Sequence, residues 1–287
     1  NVGKLRESDL ILIDQLANSP SGRSNAAAAA LNGKLYIIAG EYGGDTNTLY
    51  EYNPATNAWS AKATLPINSS GGAAAASGGK IYYFTGNKTY EYDPSTNTWT
   101  QKANAPSPVT SDRKYFAAAE LGGLIYVSGG YNNAALLHVY DPSTNTWTRK
   151  ADSPLALQYH STAVLNGIMY AHNGYDTMSY DPSTNTWTQY SSIPVESGTR
   201  TRLGVINGKM YRYYTGSSWY RMAFNTTTNT WEDARSVTPS YSDRYNTAAA
   251  VIDNKMYIHG GNGGMDILNV NDPSAIYQYL EIGRAHV

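Results

Sequence analysis

The chain contains no cysteine, only three phenylalanines among its 287 residues, and few charges. Without cysteine it can form no disulfide, no thiolate metal site and no cysteine nucleophile. Charged residues make up 15% of the chain, and 21 basic against 22 acidic side chains give a formal net charge of −1. Electrostatic binders of nucleic acid or anionic membranes need a large basic excess, so we expect neither partner.

A long hydrophobic run is also missing, so we expect no transmembrane helix and no membrane insertion. Tyrosine is abundant instead, with 26 residues, and the polarity of the chain comes mainly from asparagine, serine, threonine and tyrosine. Such a neutral, hydrogen-bonding surface favours an extracellular or cell-surface location. The 41% of hydrophobic residues is enough for the core of one domain over residues 1–287.

An internal repeat organises the chain. A turn dipeptide (Asn-Gly, Gly-Gly or Asp-Asn), followed after two residues by tyrosine, recurs six times at intervals of about 44 residues. The six tyrosines are Tyr36, Tyr82, Tyr126, Tyr170, Tyr211 and Tyr257. Six similar units therefore nearly fill the sequence.

Each unit predicts four β-strands. The turn dipeptide lies between two apolar runs and tolerates the positive φ of a two-residue hairpin. A third run ends in an aromatic residue and an Asx-Pro turn, as in Tyr92-Asp93-Pro94. Helical spacing of apolar residues is absent, so the fold class is all-β. A tryptophan follows that aromatic residue by seven positions, on the fourth strand, at Trp59, Trp99, Trp147, Trp187 and Trp231.

The repeat resembles the kelch motif, in which a glycine pair, a tyrosine and a tryptophan mark each unit. Gly129-Gly130 and Gly260-Gly261 keep the full glycine pair. The resemblance covers roughly residues 20–280 and implies a six-bladed β-propeller with four antiparallel strands per blade around a central channel. The predicted blades span residues 25–63, 72–103, 115–151, 160–191, 202–235 and 246–271.

The ring must also close, and we expect residues 9–17 to supply the outermost strand of the last blade. A proline follows each repeat tryptophan by seven or eight residues, and counting seven back from Pro20 reaches Ile13, within an apolar run. The alternative closing strand is 275–280, where the same count reaches a polar residue. Closure protects the edge of the last blade. Residues 281–287 fit no part of the repeat, and we expect this tail to be non-native.

The loops before the innermost strands and after the second strands of a propeller meet at one face, and function is expected there. The loops before the innermost strands are rich in arginine and tyrosine. Guanidinium groups bind carboxylate, sulfate or phosphate in a bidentate manner, and tyrosines offer flat faces to sugars or peptides. The alternative is that such arginines only cap neighbouring blades. The candidate ligand-binding residues are Arg23, Arg113, Tyr115, Arg200, Arg202, Trp219, Arg244 and Tyr245.

Three of these candidates have a further argument. Arg200 and Arg202 are two apart on a strand and therefore share one face. Trp219 is the only tryptophan outside the repeat register, so it is either an exposed stacking residue or a variant packing residue. The loops after the second strands add further polar and aromatic side chains, namely Glu41, Tyr42, Asn87, Tyr131, Asn132, Tyr175, Asp176, Asn262 and Asp266.

The candidate catalytic residues are Glu196, His160 and Tyr159. Glu196 precedes Arg202 by six residues, an arrangement similar to that of kelch-type sialic-acid mutarotases, which implies a general base beside a carboxylate-binding arginine. His160 with Tyr159 is similar to the proton-abstracting groups of propeller-fold polysaccharide lyases. The plainer interpretations are a solvated Glu196 and a histidine that occupies an ordinary repeat position.

No metal and no other cofactor is expected. The kelch-type copper-radical oxidases that galactose oxidase represents need a Tyr–Cys crosslink, which this chain cannot make. The recurring Asp-Pro-Ser-Thr-Asn-Thr segments lack the distal glutamate of a calcium-binding loop.

The sequence thus favours an extracellular recognition or scaffold module that binds a glycan, or an acidic small molecule or peptide, at the channel mouth. One alternative is a sugar-acid mutarotase, epimerase or lyase that uses Glu196 or His160 with Arg200 and Arg202. Another is a subunit of an extracellular assembly, with other protein subunits as partners. The lack of a catalytic motif favours binding over catalysis.

Overall fold

The computed structural model describes residues 16–106, 108–132, 134–190, 201–215, 219–236, 246–260 and 264–269, and these ranges form antiparallel sheets without a helix. Blade 1 contains β1 (Ala27–Leu31), β2 (Lys34–Ile38), β3 (Leu49–Asn53) and β4 (Ala58–Lys62). Blade 2 contains β5 (Ala73–Ser77), β6 (Lys80–Thr85), β7 (Lys88–Asp93) and β8 (Thr98–Gln101). Blade 3 contains β9 (Ala117–Leu121), β10 (Leu124–Ser128), β11 (Leu137–Asp141) and β12 (Thr146–Arg149). Blade 4 contains β13 (Ser161–Leu165), β14 (Ile168–His172), β15 (Thr177–Asp181) and β16 (Thr186–Gln189). Blade 5 contains β17 (Thr201–Ile206), β18 (Lys209–Thr215), β19 (Trp219–Asn225) and β20 (Thr230–Ser236). The described strands of blade 6 are β21 (Ala248–Ile252), β22 (Lys255–Gly260) and β23 (Gly264–Asn269).

The six sheets form a closed ring. Within each sheet every strand pairs with the next one in sequence. The first strand of each blade lies beside the first strand of the next, and β21 lies beside β1. The predicted all-β, six-bladed propeller is therefore confirmed. The described ranges contain no helix with the length and apolar character needed to cross a membrane.

Alanine dominates four of the six innermost strands, β1, β5, β9 and β21, because six strands must approach one axis. The sequences of β1, β5 and β9 are AAAAL, AAAAS and AAAEL. Hairpin turns follow directly, and Asn32 and Gly33 have φ angles of 52° and 71°, the left-handed pair that a type I′ turn requires. The small side chains of these innermost strands leave space along the axis, so the central channel remains open.

In blades 2 to 4 the tryptophan motif fastens the blade to the segment that leaves the previous one. Trp99 Nε1 donates to the carbonyl of Ala63 at 2.8 Å, and the Ala63 N–H donates to Asn97 Oδ1 at 2.9 Å. The same Oδ1 accepts a bond from Tyr92 Oη at 2.8 Å, while the Tyr92 and Trp99 rings lie 5.1 Å apart. The seven-residue spacing of aromatic residue and tryptophan thus places both rings around one interblade hydrogen-bond network.

Ala17 makes the same contacts on blade 1. Trp59 Nε1 donates to the Ala17 carbonyl at 2.7 Å, and the Ala17 N–H donates to Asn57 Oδ1 at 2.8 Å. In blades 2 to 4 the equivalent alanine comes from the end of an outermost strand. The described residues 16–17 therefore lie where such a strand would end. Residues 9–15, the alternative strand 275–280 and the tail lie outside the described residues, so the N-terminal closing strand stays a prediction.

A histidine occupies the core of blade 3. His138 is fully buried on β11, and no described residue makes a hydrogen bond to either ring nitrogen. Burial first, and then the charges of Arg113 and Arg149, lower the pKa of His138 to about 4. Met178 stands at the same register position on β15 of blade 4, so the site accommodates an apolar side chain of similar length.

We expect His138→Met to reduce the acid sensitivity of the fold. A histidine with a depressed folded-state pKa stabilises the protein above pH 6.5, and this contribution is lost as the pH falls towards the folded-state pKa of about 4. Between pH 7 and pH 5 the variant should lose about 2 kcal/mol less unfolding free energy than the wild type. Urea unfolding at both pH values measures this difference, and parallel losses in the two proteins would contradict the assignment.

Candidate functional site

A ring of backbone hydrogen bonds forms the mouth of the channel. Five blades have an equivalent described residue two positions before the first residue of the innermost strand. These residues are Asn25, Gly71, Tyr115, Tyr159 and Asn246, and all have a left-handed φ between 52° and 67°. The N–H groups of the first four bond to the carbonyl of the neighbour in the preceding blade, at 2.7 Å from Tyr115 to Gly71 and 3.0 Å from Tyr159 to Tyr115. By sequence count the sixth position is Arg200, outside the described residues.

Two neighbouring spaces with shared wall residues lie along the axis. The first is a cavity of about 60 Å³ at the mouth, lined by the ring residues together with Phe116, His160 and Arg202. The second, of about 140 Å³, follows the innermost strands and again includes His160 and Arg202 in its wall. The mouth cavity, by its volume, holds a few water molecules. It therefore has room for a small charged group but not for a sugar ring.

Two tyrosines form a stacked pair at the edge of the mouth. The rings of Tyr115 and Tyr159 lie 4.2 Å apart at 21°, because the two residues occupy the same left-handed position in adjacent blades. A Cβ added at Gly71 would lie 3.2 Å from the Tyr115 ring, so the glycine leaves room for it. Burial first, and then Tyr115, Tyr131 and Glu41, raise the pKa of the Tyr159 phenol. The pair offers an aromatic surface beside the mouth cavity.

Arg202 brings a cation into the wall of the mouth. Its Nε donates to the Thr247 carbonyl of blade 6 at 2.5 Å, and its Nη1 donates to the Thr201 carbonyl at 2.7 Å. No described residue accepts a hydrogen bond from Nη2. Burial lowers the pKa of Arg202 to about 10, so the group remains charged at neutral pH. The equivalent residues of the other blades are small, namely Ala27, Ala73, Ala117, Ser161 and Ala248.

His160 lies beside this cation as a neutral imidazole. Its Nε2 is 2.7 Å from Ser128 Oγ, and no described residue contacts Nδ1 by a hydrogen bond. Burial first, and then Arg113 and Arg202, lower the pKa of His160 to about 3. Such a group is a weak proton acceptor at neutral pH, but it can donate or accept a hydrogen bond.

Arg23 and Arg113 are directed into their own blades instead of the mouth. Both are almost fully buried. Arg23 Nη1 donates to the Ala39 carbonyl at 3.1 Å, and Arg113 Nε donates to the Gly129 carbonyl at 2.6 Å. Ala39 and Gly129 are equivalent residues after the second strand, so the two arginines hold the same turn in two blades. Each guanidinium also lies over a ring, that of Tyr50 or Phe116.

The structure therefore brings Tyr115, Tyr159, His160 and Arg202 together at the mouth, while Arg23 and Arg113 lie outside it. Trp219 begins β19, opposite Thr215. The remaining candidates fall outside the described residues: Glu196, Arg200, Arg244 and Tyr245.

A polar cluster that sequence reasoning missed borders the mouth. Lys114 Nζ lies 3.0 Å from Ser70 Oγ and 3.3 Å from Asp45 Oδ2, and Ser70 Oγ donates to Glu41 Oε1 at 3.0 Å. Lys114 directly precedes Tyr115, so a search of the same loops for lysine as well as arginine would have found it. Within the described ranges no three acidic or histidine side chains are grouped as a metal ion would require.

Comparisons with known proteins agree with this architecture. The kelch motif family matches residues 22–66 and 112–154. A segment of 81 residues is 41% identical to the N-acetylneuraminate epimerase of Pasteurella multocida (strain Pm70), covering 25% of this chain and 21% of that protein. The solved structure of YjhT superposes with a TM-score of 0.75 at 16% identity, over 90% of this chain and 98% of that one. At this identity the structural likeness concerns the fold alone.

Proposed function

This chain is a kelch-repeat β-propeller, and on that premise we propose that the mouth of its channel binds a sugar acid, that is, a carbohydrate carrying a carboxylate. Kelch propellers with very different activities share one scaffold, so the proposal must come from the site itself. It rests on the chemistry of the mouth and is supported by the segment that resembles an N-acetylneuraminate epimerase.

The observation that carries the proposal is Arg202. Its guanidinium lines a cavity of about 60 Å³, and two of its nitrogens are already held by backbone carbonyls. This fixes the orientation of the group, and no residue in the described part of the chain occupies Nη2. A carboxylate would fit the cavity and would form a charge-assisted hydrogen bond with Nη2.

The sugar ring would lie above this cavity on the tyrosines. A ring is too large for the mouth cavity, whereas the stacked pair of Tyr115 and Tyr159 offers a flat, partly exposed surface next to it. Aromatic rings pack against the apolar face of a sugar, and the phenol groups can bond to its hydroxyls. Neighbouring Ser70, Lys114 and Glu41 supply further donors and acceptors.

A sugar-acid epimerase or mutarotase is the second candidate, because of the 41% identical segment. Such a reaction needs a group that accepts a proton near neutral pH. His160, with a pKa of about 3, is poorly suited to this role. The candidate base is therefore Glu196, in the loop before β17, and the described residues favour binding over catalysis. An acidic peptide or another subunit as partner, and an extracellular location, remain parts of the broader proposal of a recognition module.

Isothermal titration calorimetry with two small sugars tests the proposed site. N-acetylneuraminate should bind at least about tenfold more tightly than N-acetylmannosamine, which lacks the carboxylate. Equal affinities for the two sugars, or no heat with either, would refute a sugar-acid site. Proton NMR of the same mixtures follows the exchange between sugar anomers, and acceleration of that exchange by the protein would favour the enzymatic alternative.

A further inference from the structure

The exposed aromatic rings of the protein are concentrated on the mouth face. Among the described residues the large hydrophobic side chains that are exposed are all tyrosines: Tyr42 at 71%, Tyr131 at 53% and Tyr175 at 44%. Each lies in the loop after the second strand of its blade, on the side of the ring where the mouth opens. The described tryptophans on the outer strands, by contrast, are partly buried against neighbouring blades.

Two of these tyrosines belong to the blades that supply the stacked pair. Tyr131 belongs to blade 3 and Tyr175 to blade 4, the blades that also contribute Tyr115 and Tyr159. The Tyr131 N–H donates to the Lys114 carbonyl at 2.8 Å, which holds Tyr131 next to the residue that precedes Tyr115. The backbone at Tyr175 is held by Asn173, whose Oδ1 accepts the Tyr175 N–H at 3.1 Å.

We propose, resting on the sugar-acid site above, that the mouth receives the terminal residue of a longer glycan whose following sugars lie on Tyr131 and Tyr175. The mouth cavity accommodates only the charged group of a ligand, and exposed tyrosines that do not line this cavity lie on the same face of the ring. A ligand of several sugar residues would use the mouth and both outer tyrosines together.

The character of the exposed surface favours a glycan over a protein partner. Tyrosine is itself enriched in protein interfaces, but there it belongs to a contiguous apolar centre together with tryptophan, phenylalanine and methionine. No described leucine, isoleucine, valine or methionine is exposed beside these tyrosines; the loops contain Gly43, Gly44 and Asn132 instead. Separate rings with polar edges, set among polar side chains, match the alternating apolar faces and hydroxyl groups of a sugar chain.

Calorimetry with N-acetylneuraminate and with sialyllactose, in which that sugar acid caps lactose, tests this inference. The wild type should bind sialyllactose about tenfold more tightly than the monosaccharide. The double variant Tyr131→Ala/Tyr175→Ala should lose this gain and keep the affinity for the monosaccharide. The variant Tyr131→Phe/Tyr175→Phe, which retains the rings, and Tyr42→Ala, which removes an exposed tyrosine of blade 1, should both retain most of the gain.

The outcomes separate the two proposals. If the wild type binds the monosaccharide but gains nothing from the attached lactose, or if the double alanine variant keeps the gain, the extended site is wrong and the sugar-acid site stands. If the gain depends on Tyr42 alone, the glycan does not follow blades 3 and 4. If neither sugar binds the wild type, the sugar-acid site itself is wrong and the extension fails with it.

Discussion

Arg202→Gln should weaken the binding of N-acetylneuraminate about 100-fold, or about 2.7 kcal/mol. The glutamine removes the only charge that the innermost-strand position carries in any of the six blades, and it cannot reproduce the guanidinium fork. A charge-assisted hydrogen bond in a partly desolvated cavity contributes energy of this order. Affinity for a neutral sugar should change little. Calorimetry on the purified variant measures both effects.

Two further variants make the Arg202 experiment specific. Arg202→Lys retains the positive charge without the fixed fork and should give an intermediate loss. Arg149→Gln removes an arginine that is exposed on β12 and paired with Asp152 at 2.8 Å, so it controls for net charge and should leave affinity unchanged. Since Arg202 also bonds to Thr201 and Thr247, thermal unfolding must show that the variant is folded. A folded Arg202→Gln protein with wild-type affinity would refute its role.

Gly129→Ala should lower the unfolding free energy by about 3 kcal/mol more than the matched variant Gly122→Ala. The two glycines have nearly the same φ, 63° and 64°, so the strain of a left-handed alanine is common to both. They differ in their surroundings. A Cβ at Gly129 would lie 2.0 Å from the Leu157 carbonyl oxygen of blade 4, whereas a Cβ at Gly122 would meet nothing within 4 Å.

The clash at Gly129 cannot be relieved by rotating a side chain. The Gly130 N–H donates to the same Leu157 carbonyl at 2.7 Å, and Leu157 is fully buried, so the approach of the two loops is fixed by the backbone. Urea unfolding followed by tryptophan fluorescence measures the two variants. Equal destabilisation of both would mean that the glycine pair is needed only for its φ angles and not for the close contact between blades.

The fold could be predicted because each signal is local and repeated. The Asn-Gly or Gly-Gly pair identifies a hairpin through its φ angles, and the aromatic residue and tryptophan seven positions apart identify the outer strands. The contact between Gly129 and Leu157 had no such signal, since it joins loops of different blades. The position of Ala17 on Trp59 likewise depends on ring closure, which joins distant parts of the chain.

The site could be predicted only in part. Arg23 and Arg113 stand two residues before the left-handed ring position of their blades, and Arg244 has the same offset from Asn246, whereas Arg202 follows the equivalent position by two. Because of this four-residue difference in position, Arg23 and Arg113 bond to the turn after the second strand, whereas Arg202 lies in the channel wall. The sequence-based search grouped all of them by loop and did not separate these offsets.

The amino-acid sequence by itself determined the number of blades, the order of strands and the face on which function is expected, because turn preferences and aromatic spacing act within one unit of about 44 residues. Only the tertiary structure decided which side chains share the mouth. Tyr115, Tyr159 and Arg202 come from three different blades. They lie together because the ring closes and because each residue's position along its blade decides whether its side chain faces the channel.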